Sequence, residues 1–244
     1  MKRAAVLVAV VALAAVSGGW TTARTEEDPV TVYAAASLTS VFPPVSPGAR
    51  FQFAGSNQLA FQIRNGAPAD VFASASPVYT QELLRAGLVE KPRYFASNSL
   101  VLAVPRSNPA KIRTVQDLAK RPKLKLVVAG AKVPIGLYTR EVLKRLGLLR
   151  VLRKAVSQEP DVKGIVGKLA FGQADAGFVY ATDVRAASSR LIAIPLPARS
   201  QPTVRYEVAV VKGTENRAGA LEFIADLLGE DGRRELKQAG FGVP

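Results

Sequence analysis

Short apolar runs alternate with longer amphipathic stretches along most of this chain. The runs are rich in β-branched residues and predict strands, whereas the stretches repeat apolar residues every three or four positions and predict helices. The predicted strands are 30–34, 50–54, 70–73, 99–104, 123–129, 176–180, 191–194 and 206–211. The predicted helices are 57–65, 77–86, 114–119, 136–146, 162–171, 182–187, 216–228 and 231–239.

This alternation of strands and helices predicts an α/β fold in which mostly parallel sheets are flanked by helices. The chain is longer than one compact lobe of this kind requires, so we expect two lobes with a ligand in the cleft between them. Lobe 1 would contain residues 24–103 plus 206–244, and lobe 2 would contain residues 104–205. The predicted strands 99–104 and 206–211 would then connect the lobes.

The first 23 residues have the pattern of a secretory signal peptide. Lys2 and Arg3 precede an apolar run at 4–16, and small residues then lead to Ala23. The run is shorter than the roughly 20 apolar residues that a membrane-spanning helix needs, so we expect cleavage near Ala23. Because the chain has no cysteine to carry a lipid anchor, the mature protein is predicted to be soluble and periplasmic.

The amino-acid inventory excludes several kinds of chemistry. The chain contains neither histidine nor cysteine, which removes Ser-His and Cys-His catalysis and imidazole metal sites. The acidic residues are scattered without the spacing of metal ligands or of an acid-base pair. We therefore expect a binding protein without a cofactor, not an enzyme.

Positive charge dominates the chain, with a formal net charge of +14. We interpret the basic residues as dispersed over helices and loops, and no aromatic-basic module for nucleic acid is recognisable. Export would also separate the protein from nucleic acid. The charge could steer anions, dock a membrane partner, or form an ordinary solvated surface.

Two serines follow predicted strands at turns into helices. Ser37 comes after strand 30–34, and Ser56 comes after strand 50–54 and directly follows Gly55. Helix starts carry unpaired backbone N–H groups and partial positive charge, so two such turns together would form a donor site for an anion. The alternative interpretation is that each serine only caps its own helix.

The second half of the chain repeats this pattern. Ile135 follows Pro134 at a strand-to-helix turn, Val162 follows Asp161 at another helix start, and Tyr180 ends the apolar strand AGFVY. A structural turn, a capping aspartate and a packed tyrosine are the respective alternatives.

Several segments, taken in order, resemble those of one protein family. They are AAASLT, FAGSNQLAFQIRNGAPADVFASAS, NSLVLAVP, VPIGLYTREVLKRLG, DVKGIVGKLAFGQADAGFVYATDV and YEVAVV. Over nearly all of the mature chain, the sequence is similar to the periplasmic molybdate-binding proteins of ABC transporters. The resemblance implies a type II periplasmic-binding-protein fold whose two lobes close on a tetrahedral oxyanion.

The motifs of that family imply five ligand-binding residues. Ser37 and Ser56 would each give a hydroxyl and a backbone N–H, Ile135 and Val162 a backbone N–H, and Tyr180 its hydroxyl. Molybdenum would be bound only as the oxyanion, through these same residues. The implied partners are molybdate or tungstate and an inner-membrane ABC permease with its ATPase, served by a monomeric receptor.

Two departures from the family pattern stand out. Ile135 occupies a position where the family often has alanine, a change that a main-chain ligand should tolerate. Residues 41–49, VFPPVSPGA, replace a full amphipathic helix, and their prolines permit little more than a turn after Ser37.

The donor-only character of this predicted site favours a particular ligand. Molybdate is an unprotonated dianion at neutral pH, whereas protonated phosphate would need an acceptor for its proton. Other functions remain open: a receptor for another tetrahedral oxyanion such as sulfate, a non-transport sensor or an enzyme on the same scaffold, and a basic surface-interaction module.

Overall fold

The computed structural model describes residues 28–244, so the predicted signal peptide at 1–23 lies outside the described residues. The strands of this part are β1 Thr31–Ala35, β2 Arg50–Ala54, β3 Val71–Ser74, β4 Arg93–Asn98, β5 Leu100–Pro105, β6 Leu126–Ala129, β7 Ala155–Glu159, β8 Ala176–Tyr180, β9 Leu191–Pro195 and β10 Val204–Val210. The α-helices are α1 Phe42–Val45, α2 Ser56–Arg64, α3 Pro77–Arg85, α4 Asp117–Lys120, α5 Pro134–Arg145, α6 Val162–Ala170, α7 Ala181–Ala186, α8 Arg217–Leu228 and α9 Glu230–Ala239. The 3-10 helices are Ala36–Leu38, Leu149–Lys154 and Ala198–Ser200.

Every predicted strand and helix overlaps an observed element of the same type. Two strands, β4 and β7, were not predicted. Both lie at an edge of their sheet and carry polar residues, in the sequences RYFASN and AVSQE. An edge strand has only one neighbour, so it needs no continuous apolar run and leaves a weak signal in the sequence.

The strands form two five-stranded sheets with the same topology. The strand orders are β2-β1-β3-β10-β4 and β7-β6-β8-β5-β9. In each sheet three neighbouring strands are parallel, and the last two pairings are antiparallel. Four of the five strands in each sheet therefore run in the same direction, which agrees with the expected mostly parallel sheets. The exceptions are the strand that enters the second sheet (β5) and the strand that returns to the first (β10), which run antiparallel to their neighbours.

The chain passes from the first sheet to the second at Ser99 and returns through residues 201–203. β5, at the predicted connection 99–104, pairs within the second sheet, and β10, near 206–211, pairs within the first. We call each sheet with its helices a lobe. The residue limits of the lobes at 103 and 206 stay a prediction.

The segment between β1 and β2 is short, as its prolines predict. α1 is a single turn that contains Pro43 and Pro44. Phe42 at its start is fully buried, and its ring lies 5.4 Å from the ring of Phe223 in an edge-to-face contact. A 3-10 helix of three residues, Ala36–Leu38, therefore follows β1 in place of a long helix.

No helix among residues 28–244 combines the length and the apolar character needed to cross a membrane.

Candidate functional site

The C-terminal ends of four strands meet at one small cavity between the lobes. β1 and β2 belong to the first sheet and β6 and β7 to the second, and each of these pairs is parallel. The cavity is narrow, with a volume of about 10 Å³. Its walls are Ala35, Ala36, Ser37, Ala54, Gly55, Ser56 and Ala75 of the first lobe and Val133, Pro134, Ile135, Asp161 and Val162 of the second. Carboxyl ends of strands in open α/β sheets are the usual place for a ligand.

Ser56 offers two donors to this cavity. It is the first residue of α2 and is fully buried. Its backbone N–H has no acceptor within the helix, because no turn precedes it. Its Oγ accepts a hydrogen bond of 3.1 Å from the backbone N–H of Ala75, so the hydroxyl proton is not used in that bond.

Ser37 lies in the 3-10 helix after β1 and is 4% exposed. Its Oγ lies 2.9 Å from the hydroxyl oxygen of Tyr206, a fully buried residue of β10. Either hydroxyl can donate in this pair. When Tyr206 donates, the single proton of the Ser37 hydroxyl is available to a ligand; when Ser37 donates, its Oγ can only accept.

The second lobe lines the cavity with the first turns of two helices. Ile135 is the second residue of α5, after Pro134, and Val162 is the first residue of α6. Both are buried, and backbone N–H groups at these positions have no acceptor within their helices. The apolar side chains of Ile135 and Val162 cannot bind a polar ligand, so these two residues can contribute only main-chain donors.

Tyr180 ends β8 and is 1% exposed, but it is not part of the cavity wall. Its ring contacts the ring of Tyr206 edge to face at 5.9 Å. Among the described residues its hydroxyl has no hydrogen-bond partner, which for a buried group costs about 1 to 3 kcal/mol. Burial is the main reason that the pKa of Tyr180 lies well above its ordinary value, so the hydroxyl keeps its proton and can donate.

The cavity wall contains the starts of three helices and no cationic side chain. The starts of α2, α5 and α6 lie at the cavity, and helix starts carry partial positive charge. The one carboxylate of the wall, on Asp161, accepts the backbone N–H of Gly164 at 3.0 Å and so caps α6. Within residues 28–244, no group of three or more His, Cys, Asp or Glu side chains is placed to hold a metal ion.

The two lobes touch around the cavity. The hydroxyl of Tyr79 in the first lobe donates to the carbonyl oxygen of Lys132 in the second. The hydroxyl of Tyr138 in the second lobe donates to the carbonyl oxygen of Ala75 in the first, at 3.2 Å. A Cβ atom added to Gly55 would lie only 2.5 Å from the carbonyl oxygen of Pro160. Glycine at 55 therefore lets the lobes approach each other.

Four of the five residues predicted from the sequence lie at one cavity: Ser37, Ser56, Ile135 and Val162. Tyr180 lies behind them. The sequence did not reveal the role of Tyr206, because its position in the predicted strand 206–211 gave no signal beyond that of a strand residue. The sequence also did not reveal the hydrogen bonds of Ala75 and Tyr138, because contacts between distant segments leave no local pattern. That the five residues bind a ligand stays a prediction.

Two similar α/β lobes that meet around a small cavity lined by two serines and three helix starts define a two-lobe ligand-binding protein. Residues 30–242 match the family of bacterial extracellular solute-binding proteins, and the chain belongs to this family.

Within this family, the chain is similar to molybdate-binding proteins, both in sequence and in structure. The chain is 38% identical to the molybdate-binding protein ModA of Mycobacterium tuberculosis over 225 residues, which cover 88% of this chain and 85% of that protein. It is 30% identical to ModA of Escherichia coli over 236 residues, 91% of each. The periplasmic molybdate-binding protein of Azotobacter vinelandii has a similar structure, with a TM-score of 0.77, 25% identity and coverage of 88% of this chain and 99% of that one. The family resemblance noted in the sequence is thus confirmed.

Proposed function

We propose that this chain is a solute-binding protein that captures molybdate, and also tungstate, and delivers it to an ABC importer. The observation that carries the proposal is the cavity wall: it combines serine hydroxyls and the first turns of three helices. The similarity to molybdate-binding proteins supports the same ligand class. Ser37, Ser56, Ile135, Val162 and Tyr180 would be the binding residues.

The chemistry of the wall favours an anion that carries no proton. The Oγ of Ser56 already accepts the N–H of Ala75, and one carboxylate oxygen of Asp161 accepts the N–H of Gly164. A protonated oxyanion needs an acceptor for its proton, whereas the wall offers mainly hydroxyl and backbone N–H donors. Molybdate and tungstate are unprotonated dianions of nearly the same shape, so the site would take both.

The direction of one hydrogen bond would depend on this ligand. An unprotonated anion needs the Ser37 proton, so Tyr206 would donate to Ser37 and Ser37 to the anion. Burial raises the pKa of Tyr206 far above its ordinary value, which keeps this donor protonated. The hydroxyl of Tyr180, which has no partner among the described residues, would serve as a further donor.

The proposal also includes the location of the protein and its transport partners. The mature chain would work outside the cytoplasmic membrane as a monomer, without a cofactor and without catalysis, and would hand its ligand to a membrane permease with its ATPase. Membership of the extracellular solute-binding family supports this setting.

Calorimetric titration with molybdate, tungstate, sulfate and hydrogen phosphate tests the proposed ligand. Several charged hydrogen bonds at about 1.5 to 3 kcal/mol each, less the costs of desolvation and ordering, predict micromolar or tighter binding of molybdate and tungstate. Sulfate has shorter bonds and is expected to bind more weakly, and hydrogen phosphate should bind least. Heat from sulfate with none from molybdate would show that the protein is a receptor for another oxyanion.

A further inference from the structure

The surplus positive charge lies in one part of the chain. Residues 111–154 contain thirteen of the 33 Lys and Arg but only two of the 19 Asp and Glu. Residues 28–110 and 155–244 together contain seventeen basic and fifteen acidic residues. Most basic residues are thus dispersed along the chain, but nearly all the net charge belongs to a part of the second lobe where acidic residues are scarce.

Much of this charge emerges at one end of the second lobe. Nζ of Lys154 donates to the carbonyl oxygens of Leu118 and Arg121, both at 2.7 Å, and so holds the 3-10 helix Leu149–Lys154 against the end of α4. The guanidinium of Arg121 donates to the carbonyl oxygen of Lys111 at 3.0 Å. We call the exposed basic residues of these joined segments the basic pole: Lys111, Lys120, Lys123, Lys125, Arg150 and Arg153.

Two acidic residues lie among the segments of the basic pole: Asp117, which interacts electrostatically with Lys120, and Asp175. None of the side chains of the basic pole takes part in an ion pair between residues 28 and 244. The carboxylate of Asp117 accepts the backbone N–H groups of Arg113 and Thr114, and that of Asp175 accepts the backbone N–H of Lys125. Like charges gathered in this way repel one another, and an anionic partner would relieve the repulsion.

The basic pole is too far from the cavity to attract the oxyanion. β6 and β7 begin at the pole and end at the cavity. A strand of five residues such as β7 spans about 16 Å, about twice the Debye length of about 8 Å at physiological salt. Steering of the ligand therefore does not account for this charge.

Apolar groups accompany the basic side chains. Leu149 is 44% exposed and precedes Arg150 on the same 3-10 helix. An open depression of about 390 Å³ is lined by the exposed Pro109 and Pro122 and the buried Leu124, together with Ala110, Lys111, Arg121, Lys123 and Asp175. Basic side chains around exposed apolar groups are typical of proteins that bind at the surface of an anionic membrane.

We propose that the basic pole docks this protein on a membrane surface that carries anionic phospholipid headgroups. The lysines and arginines would lie against the phosphates, and Leu149 would enter the headgroup layer. The surface is separate from the oxyanion cavity, so this proposal does not depend on the identity of the bound anion.

Sedimentation of the mature protein with vesicles tests the proposal. We expect it to bind vesicles of phosphatidylcholine with phosphatidylglycerol at least about tenfold more strongly than vesicles of phosphatidylcholine alone. The bound fraction should fall as salt is raised, because the charges are exposed. Equal binding to both kinds of vesicle, or to neither, would overturn the proposal.

Two variants of equal charge locate the surface. The pole variant carries Lys123→Gln, Lys125→Gln, Arg150→Gln and Arg153→Gln, and should lose at least about tenfold in binding to anionic vesicles. The control carries Arg85→Gln, Lys91→Gln, Arg93→Gln and Lys212→Gln, all at exposed positions of the first lobe, and should bind like the wild type.

The remaining measurements separate docking from general electrostatics. Leu149→Gln should weaken vesicle binding a few-fold while the net charge stays constant. An equal loss in the control variant would show that only total charge matters and would overturn the proposal. Binding to the soluble polyanion heparin without binding to anionic vesicles would also overturn the proposal, because the basic pole would then bind an acidic polymer instead of a membrane. Anion titration of each variant checks that the protein is folded.

Discussion

The two lobes present different donors at topologically equivalent places. In the first lobe, β1 and β2 lead to Ser37 and Ser56, whose hydroxyls can donate to a ligand. In the second lobe, β6 and β7 lead to Ile135 and Val162, which can offer only backbone N–H groups. The first lobe therefore depends on the identity of side chains, whereas the second depends on the position of helix starts.

The lengths of the helices explain part of this difference. The 3-10 helix after β1 has three residues, whereas α5, after the equivalent β6, has twelve. A short helix aligns few peptide dipoles and has little partial charge at its start, so a hydroxyl is needed there. The twelve residues of α5 supply a full helix dipole without any polar side chain.

The largest loss of affinity is expected where the two lobes touch. In Gly55→Ala, the new Cβ would lie 2.5 Å from the carbonyl oxygen of Pro160 and would hold the lobes apart. Overpacking of this kind costs up to about 3 kcal/mol, so molybdate affinity measured by calorimetry should fall by about 100-fold. The free energy of unfolding should change by about 1 kcal/mol or less, because φ −62° and ψ 133° at Gly55 suit alanine.

Gly48→Ala is the matched control, since a Cβ at that position meets no atom within 4 Å. It should bind molybdate as the wild type does. Unchanged affinity in Gly55→Ala would mean that the lobes of the bound protein do not meet at Gly55. The two lobes would then not face each other across the ligand as described.

The serine hydroxyls should have the next largest effect. Ser37→Ala and Ser56→Ala each remove a donor to an anion, and such bonds contribute about 1.5 to 3 kcal/mol, so affinity should fall about 10- to 100-fold. Ser56→Ala should lose more, because it also leaves the buried N–H of Ala75 without its acceptor. Titration with molybdate measures both.

Ser200→Ala provides the control for these two variants. Ser200 is fully buried, its hydroxyl donates to the carbonyl oxygen of Pro197, and it lies outside the cavity wall. Its replacement should lower stability and leave affinity unchanged. Losses below about threefold in both cavity variants would show that the hydroxyls do not bind the ligand.

The first lobe uses side-chain hydroxyls and the second uses backbone N–H groups, and this difference determined which candidate residues the sequence could reveal. Ser37 and Ser56 could be recognised as polar side chains after strands, whereas Ile135 and Val162 were recognisable only as helix starts and through family motifs. The fold followed from apolar runs and helical spacing, and the edge strands β4 and β7 escaped because they are polar. Tyr206 could not be found, because its bond to Ser37 joins residues that are far apart in the sequence.

Val162→Pro tests the main-chain donors of the second lobe directly. Val162 is the first residue of α6, and Asp161 before it is extended, so proline fits without disturbing the helix. The variant removes only one N–H donor and the packing of the valine, and affinity for molybdate should fall about tenfold. Val162→Ala keeps the N–H and should bind within about twofold of the wild type. Equal losses in both variants would assign the effect to the side chain and would remove the difference between the lobes.

Tyr206→Phe should have the smallest effect on affinity, yet it tests how the first lobe selects its ligand. The ring contacts with Phe95, Tyr180 and Phe241 can remain, and one hydrogen bond worth about 0.5 to 1.5 kcal/mol is lost, so molybdate affinity should fall about 2- to 10-fold. Without a donor from Tyr206, both lone pairs of the Ser37 Oγ are available to accept a proton. The preference for molybdate over hydrogen phosphate should therefore shrink, as competition titrations would show.

Tyr94→Phe, on the neighbouring strand β4, is the control and should change neither quantity. A loss of affinity in Tyr206→Phe with an unchanged preference would mean that Tyr206 only packs against its neighbours. A reduced preference would mean that the first lobe distinguishes anions by the direction of a hydroxyl. Ile135 and Val162 of the second lobe cannot do this, because a backbone N–H can only donate.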